Sequence, residues 1–272
     1  MQQVDFQSIH EQDQSTNQLV NYLLHLADDA LILGHRNSEW CGHGPVLELD
    51  IAITNIALDL LGQARNFYQY AAELINNDGR PEVVTEDTLA YLRDAGGFKN
   101  CVLAELPKGD WGVTVMRQFF FSVYQYFLYQ QLQESNEERI AAISAKALKE
   151  VTYHVRWSSE WVIRLGAGTA ESHKRMVQAI TLLQQYTAEL FIPAGYEEMA
   201  LTMGWGTDVT ALQPLWLQKV TEIFEKATLT GTLPFAGENT TLSGKEGKHT
   251  SYLENILTDM QFLQRAYPGA EW

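Results

Sequence analysis

The sequence predicts an all-α protein built on a four-helix bundle, and three observations carry the prediction. Apolar residues recur at three- and four-residue steps along most of the chain, and strand-like alternation is scarce. Glycine and proline punctuation leaves four segments long enough to span a bundle. The first runs from about Ser15 to beyond Leu33, with Leu19, Leu23, Leu26, Ala30 and Leu33 on one face. Gly42 to Pro45 interrupts it, and Pro45 is expected at the first position of the next helix, where a missing N–H costs nothing. That second helix reaches about Asn76 on the stripe Leu49, Ile53, Ile56, Leu60, Gln63, Phe67 and Leu74. At 1.5 Å per residue it extends roughly 45 Å.

Asn76 to Gly79 ends this helix, and Thr85 is a natural N-cap for a short one. The third long helix begins near Asp110 and carries Phe119, Phe120, Phe121, Tyr124, Tyr126, Phe127 and Tyr129. Aromatics on every face predict a central helix, covered in part by another subunit. Asn136, Glu137 and Glu138 open the fourth, with acids at its positive end, and Gly166 closes it. Amphipathic segments from Thr169 to Phe191, Ala211 to Leu229 and Thr250 to Tyr267 follow without a polar linker. Residues 1–272 therefore read as one domain, with a core bundle at about 15–165 and accessory helices at about 169–267. The Gly-, Thr- and Lys-rich stretch from Gly231 to His249 reads as a functional or docking loop.

Composition narrows the function. A net charge of -15 and a pI near 4.8 argue against nucleic acid and anionic membrane as partners. Two cysteines, Cys41 and Cys101, are too few for a secreted disulfide scaffold, and Cys41-Gly42-His43 lacks zinc-site spacing. Met1 to Gln18 has no apolar signal core, and no uncharged run reaches the ~18 residues of a membrane span. The expectation is a cytoplasmic protein.

Two segments resemble damaged copies of the Glu-x-x-His pair, in which a Glu and a His three residues apart on one helix face hold a pair of irons. Leu60 and Gln63 occupy those positions on the second helix, with Asp59 one residue out of phase. Val151 and His154 occupy them on the fourth, along Ile140, Ile143, Ala147, Val151, His154, Ser158, Trp161 and Leu165. There Glu150 is one residue out and expected to face away. Gln63 and His154 read as hydrogen-bonded interior residues rather than ligands. The one intact Glu-x-x-His, Glu246 to His249, falls in the Gly/Lys-rich loop and reads as chance. Phosphate-loop, dinucleotide and nucleophile-elbow motifs are missing from the sequence.

Longer motifs carry a resemblance over nearly the whole chain. They are Glu39-Trp40-Cys41-Gly42-His43-x-Pro45, Leu58-Asp59-Leu60-Leu61-Gly62-Gln63-Ala64-Arg65-Asn66-Phe67, Ala145 to Glu150 with Tyr153-His154, and Gly166-x-Gly168-Thr169. Toward the end come Gly244-Lys245-x-Gly247-x-His249-Thr250, Met260-Gln261-x-Leu263-Gln264-Arg265 and Pro268-Gly269-Ala270-x-Trp272. Together they resemble the C-type subunits of bacterial multicomponent phenylacetyl-CoA epoxidases. The resemblance implies a ferritin-like fold and a structural role beside a catalytic A-type subunit that carries di-iron and binds the acyl-CoA. It also implies a small B-type subunit and a flavin/iron–sulfur NADPH reductase as further members of the complex. By the pattern of the catalytic relatives, the metal positions here would be Glu39, Leu60, Gln63, Ser122, Val151 and His154, of which only Glu39 and His154 keep a ligand type. The expectation is no catalytic residue, metal or cofactor in this chain. Two rivals remain: an oxygenase subunit with a site of its own, such as a mononuclear one at Glu39, Gln63 and His154, and a free-standing ferritin-like binding protein.

Overall fold

A computed structural model describes residues 14–77, 83–230, 243–267 and 270. Among the described residues there are ten α-helices and no strand. Four are long: α1 (Gln14–Ser38), α2 (Leu47–Asn76), α5 (Trp111–Leu132) and α6 (Glu138–Gly166), with α3 (Glu86–Tyr91) and α4 (Val102–Glu105) crossing between the second and third of them. α1 packs along α2 and α5 along α6, and α2 meets α6 to join the two pairs. This is the ferritin-like bundle the periodicity and the resemblance imply.

The caps follow sequence chemistry. Thr85 caps α3 and makes a reciprocal pair with Thr88, and the Asp110 carboxylate accepts from the Val113 N–H at the start of α5. Pro45 differs from expectation: α2 begins at Leu47 with Val46 as N-cap, so the proline lies in the connection before the helix. Gly166 is the last residue of α6 and is needed for space, since a Cβ there would stand 2.6 Å from the Ala227 carbonyl oxygen.

Accessory helices α7 (Ala170–Leu183), α8 (Gly195–Met203), α9 (Val209–Lys226) and α10 (Ser251–Ala266) wrap the bundle. The expected Thr169–Phe191 helix stops at Leu183 and continues as two 3-10 turns, and α8 is an element the periodicity did not mark. α7 and α9 cover α5. Trp216 of α9 donates from its indole N–H to the Phe120 carbonyl at 2.8 Å, among Phe119, Phe191 and Phe224. The aromatic helix is thus buried by its own chain, and another subunit is not needed to cover Phe119, Phe120 or Phe121. No helix of the described residues is long and apolar enough to cross a membrane.

Candidate functional site

The bundle interior brings five of the six metal-equivalent positions inside and leaves one out. Leu60, Gln63, Ser122, Val151 and His154 are all buried, on α2, α5 and α6. Glu39 follows the last residue of α1, is 37% exposed along its side chain, and pairs with Arg36 at 2.6 Å. The part of α1 that approaches Leu60 is around Gly34, whose added Cβ would stand 3.3 Å from the Leu60 Cβ. Glu39 therefore belongs to the end of the bundle and not to this interior set.

Glu150, expected to face away, does not, and Asp59, one residue out of phase, also finds a partner across the helices. The Gln63 amide donates to Glu150 at 2.9 Å, and His154 Nε2 lies 3.0 Å from the Asp59 carboxylate. Asp59 and Gln63 are four residues apart on α2, and Glu150 and His154 four apart on α6. A four-residue step returns to nearly the same helix face, so each pair projects together, and the two pairs meet across the α2–α6 seam. The missed signal was this i, i+4 spacing, which a search for i, i+3 pairs passes over.

Hydrogen bonds complete the interior. Tyr129 donates to the other end of the Gln63 amide at 3.3 Å, Ser122 and Ser158 hydroxyls lie 3.2 Å apart, and Ser158 donates to the His154 carbonyl at 2.7 Å. Leu60 and Val151, where the resemblance would put carboxylates, are buried, and neither side chain can donate to a metal ion. Among the described residues no group of three His, Cys, Asp or Glu side chains is arranged to hold a metal. The donor set present does not fit a carboxylate-bridged iron pair.

A second polar cluster is denser, and the loop reading missed it. Residues 243–249 enter the body beside α1, α4 and α8, while 231–242 lie outside the described residues. Lys245 is fully buried, with its ammonium 3.0 Å from Glu197 and donating to the Leu190 and Ile192 carbonyls. Glu189 accepts from the Val102 and Lys245 backbone N–H groups, and burial raises its carboxyl to about 7. Burial also opposes ionisation of Glu197, but Lys245 and His25 outweigh it and hold that carboxyl down at about 2.

His249 shows why the Glu246–His249 match is chance: Glu246 pairs at the surface with Lys248, whereas His249 turns inward. Its Nδ1 lies 2.7 Å from Glu105 and its Nε2 3.0 Å from the Phe98 carbonyl. Both nitrogens face acceptors, which only the doubly protonated imidazolium satisfies. Burial opposes that proton, yet the Glu105 hydrogen bond and charge leave the histidine's pKa raised. Glu105 is itself saturated, also accepting from Asn100 and from the Thr250 N–H and hydroxyl. Nearby, Asp28 is bound by Arg93, Tyr68 and the Lys99 N–H.

The fold defines a class: a ferritin-like helical bundle, its interior here filled by apolar and hydrogen-bonded side chains. Within that class the chain belongs to the phenylacetic acid catabolic protein family, which it matches over residues 1–272. It is 45% identical over 257 residues to the C-type subunit of the 1,2-phenylacetyl-CoA epoxidase of Escherichia coli (strain K12), an alignment covering 94% of this chain and 100% of that protein.

Proposed function

We propose that this chain is the non-catalytic structural subunit of a multicomponent phenylacetyl-CoA 1,2-epoxidase in aerobic phenylacetate catabolism. It binds and stabilises a catalytic A-type subunit, whose di-iron centre epoxidises the aromatic ring with electrons from a flavin/iron–sulfur NADPH reductase. It acts in the cytoplasm as one ferritin-like domain with no metal of its own. A small B-type subunit joins the same complex.

One observation carries the reading: Leu60, Val151, Gln63 and Ser122, which the resemblance would match to metal ligands, are all buried, and none is a carboxylate. The name of the Escherichia coli relative supports the same role. A mononuclear site at Glu39, Gln63 and His154 is disfavoured, because Glu39 is engaged with Arg36 beyond the end of α1. The test is co-expression with the A-type subunit followed by metal analysis of each chain. The expected result is co-purification, with iron at two per A-type chain and substoichiometric iron on this one. Two irons on the isolated chain, or reductant-dependent turnover by it alone, would overturn the proposal.

A further inference from the structure

Most of the exposed apolar side chains are scattered, but four fall in one line. Val46, Leu47, Ile51 and Leu58 are 52, 71, 52 and 59% exposed at the start and on the outer side of α2. At 100° per residue Leu47, Ile51 and Leu58 lie within about 40° of one another, directly opposite the buried stripe through Leu60 and Phe67. Gly62 continues the line one turn beyond Leu58, exposed in the middle of a thirty-residue helix. An added Cβ there would meet nothing within 4 Å, and its helix has no break or left-handed turn at that point. Glycine is the poorest helix former after proline, so within this chain alone Gly62 has only a cost. Past Gly62 the line turns polar, with Arg65 and Gln69 both reaching Glu86 of α3. The bare part of the face is therefore bounded: Val46 to Gly62.

Charge gives the face a sign. On a chain of net charge -15, the adjoining outer edge of α6 carries exposed Lys146, Lys149 and Arg156 around Tyr153, which is 42% exposed. Arg156 is paired with Glu160, while Lys146 and Lys149 make no salt bridge among the described residues. The acids of the seam between the helices are engaged: Asp59 with His154 and Glu150 with Gln63. Glu48 stays exposed beside Leu47 at the far end, and Asp50 accepts from the Gly44 N–H. An apolar line with a close-approach point at Gly62 and a short basic row beside its Gly62 end suits a helix that is apolar on one face and acidic where it crosses there. A second copy suits it poorly, because a twofold contact would set the basic row against itself between two strongly acidic chains.

Resting on the structural role proposed above, we propose that the Val46–Gly62 face of α2, with the Lys146–Lys149 edge of α6, is the docking surface for a helix of the A-type subunit. That helix crosses at Gly62 and presents acidic residues to Lys146 and Lys149.

Affinity of full-length variants for the purified A-type subunit, by calorimetry or interferometry, tests this. Leu58→Asp and Gly62→Leu should each weaken binding by about tenfold or more, as substitutions at the centre of an interface do. Gly62→Leu should at the same time leave the melting temperature of the isolated chain unchanged or raised, because a better helix former enters open space. Lys149→Glu should weaken binding several-fold and flatten its salt dependence. Phe262→Asp, at an exposed position on α10, should change nothing. Wild-type affinity for Leu58→Asp and Gly62→Leu, in a chain that does bind the A-type subunit, overturns the surface. Loss of a self-dimer in Leu58→Asp overturns the choice of occupant. Failure of the wild-type chain to bind overturns instead the structural role on which the surface rests.

Discussion

Two polar regions of the interior, the α2–α6 seam and the cluster around Lys245, are built on opposite principles. At the seam, Asp59 is 35% exposed along its side chain and Gln63 is neutral, so the polar groups bond across two helices close to water. Around Lys245, Glu105, Glu189, Glu197, Asp29 and His25 are all withdrawn from solvent and must satisfy one another. A carboxylate near water retains solvation when its partner is removed, whereas a buried one keeps its charge and loses its compensation. The seam is thus energetically mild, and the region that looks like a surface loop in the sequence is where the fold is most exposed to damage.

Lys245→Met should break that asymmetry most strongly. It leaves Glu197 and two carbonyls without their donor, and a cost of about 3–5 kcal/mol in urea unfolding is expected. The double variant with Glu197→Gln should recover part of the loss, whereas additive losses would show that the pair is not coupled.

Raising the pH probes the same cluster without mutation. Burial raises the Asp29 and Glu189 carboxyls; His25 is raised because Asp29 and Glu197 outweigh its burial, and His249 because Glu105 does. Each holds its proton more tightly when folded. The stability they contribute is complete below their unfolded pKa values and is lost as pH rises through the folded ones. Urea unfolding should therefore show a loss of roughly 1–3 kcal/mol that sets in above about pH 4.5, the unfolded carboxyl range, and continues past neutral pH, beyond the folded Glu189 value of about 7. The Glu197 carboxyl, held near 2, runs the other way and weakens the fold only in strong acid. A flat profile across neutral pH would remove the distinction between the regions.

Gly244→Ala tests the backbone route into the cluster. Its Cβ would press on the Asn100 carbonyl, and overpacking of about 1–2 kcal/mol is expected in thermal unfolding. Smallest should be Asp59→Asn at the seam, below about 1 kcal/mol by the same measurement, since the amide still faces His154 and half-meets water. A larger effect there than at Gly244 would reverse the ranking.

How much could be read in advance follows the same division. The long helices were visible because burial imposes a period on Leu49, Ile53, Ile56 and Leu60, and the N-cap at Thr85 because it is local chemistry. The apolar residues at Leu60 and Val151, where the resemblance would put carboxylates, are read from the sequence directly. Left unseen were contacts whose partners are far apart in sequence: Lys245 with Glu197, His249 with Glu105, and the seam pairs. No local period encodes them. The seam pairs alone left a trace, the i, i+4 spacings of Asp59–Gln63 and Glu150–His154, which mark faces without naming what each face meets.

The 144-residue separation of Glu105 and His249 has a consequence for the order of events during synthesis. A ribosome adding 5–20 residues per second takes roughly 7–30 s to pass from one to the other. Through that interval Glu105 of α4 exists without the histidine that faces it, and Glu197 of α8 in turn waits for Lys245, so the newly made bundle cannot close its charged interior. The last seventh of the polypeptide sets when the first half can finish folding.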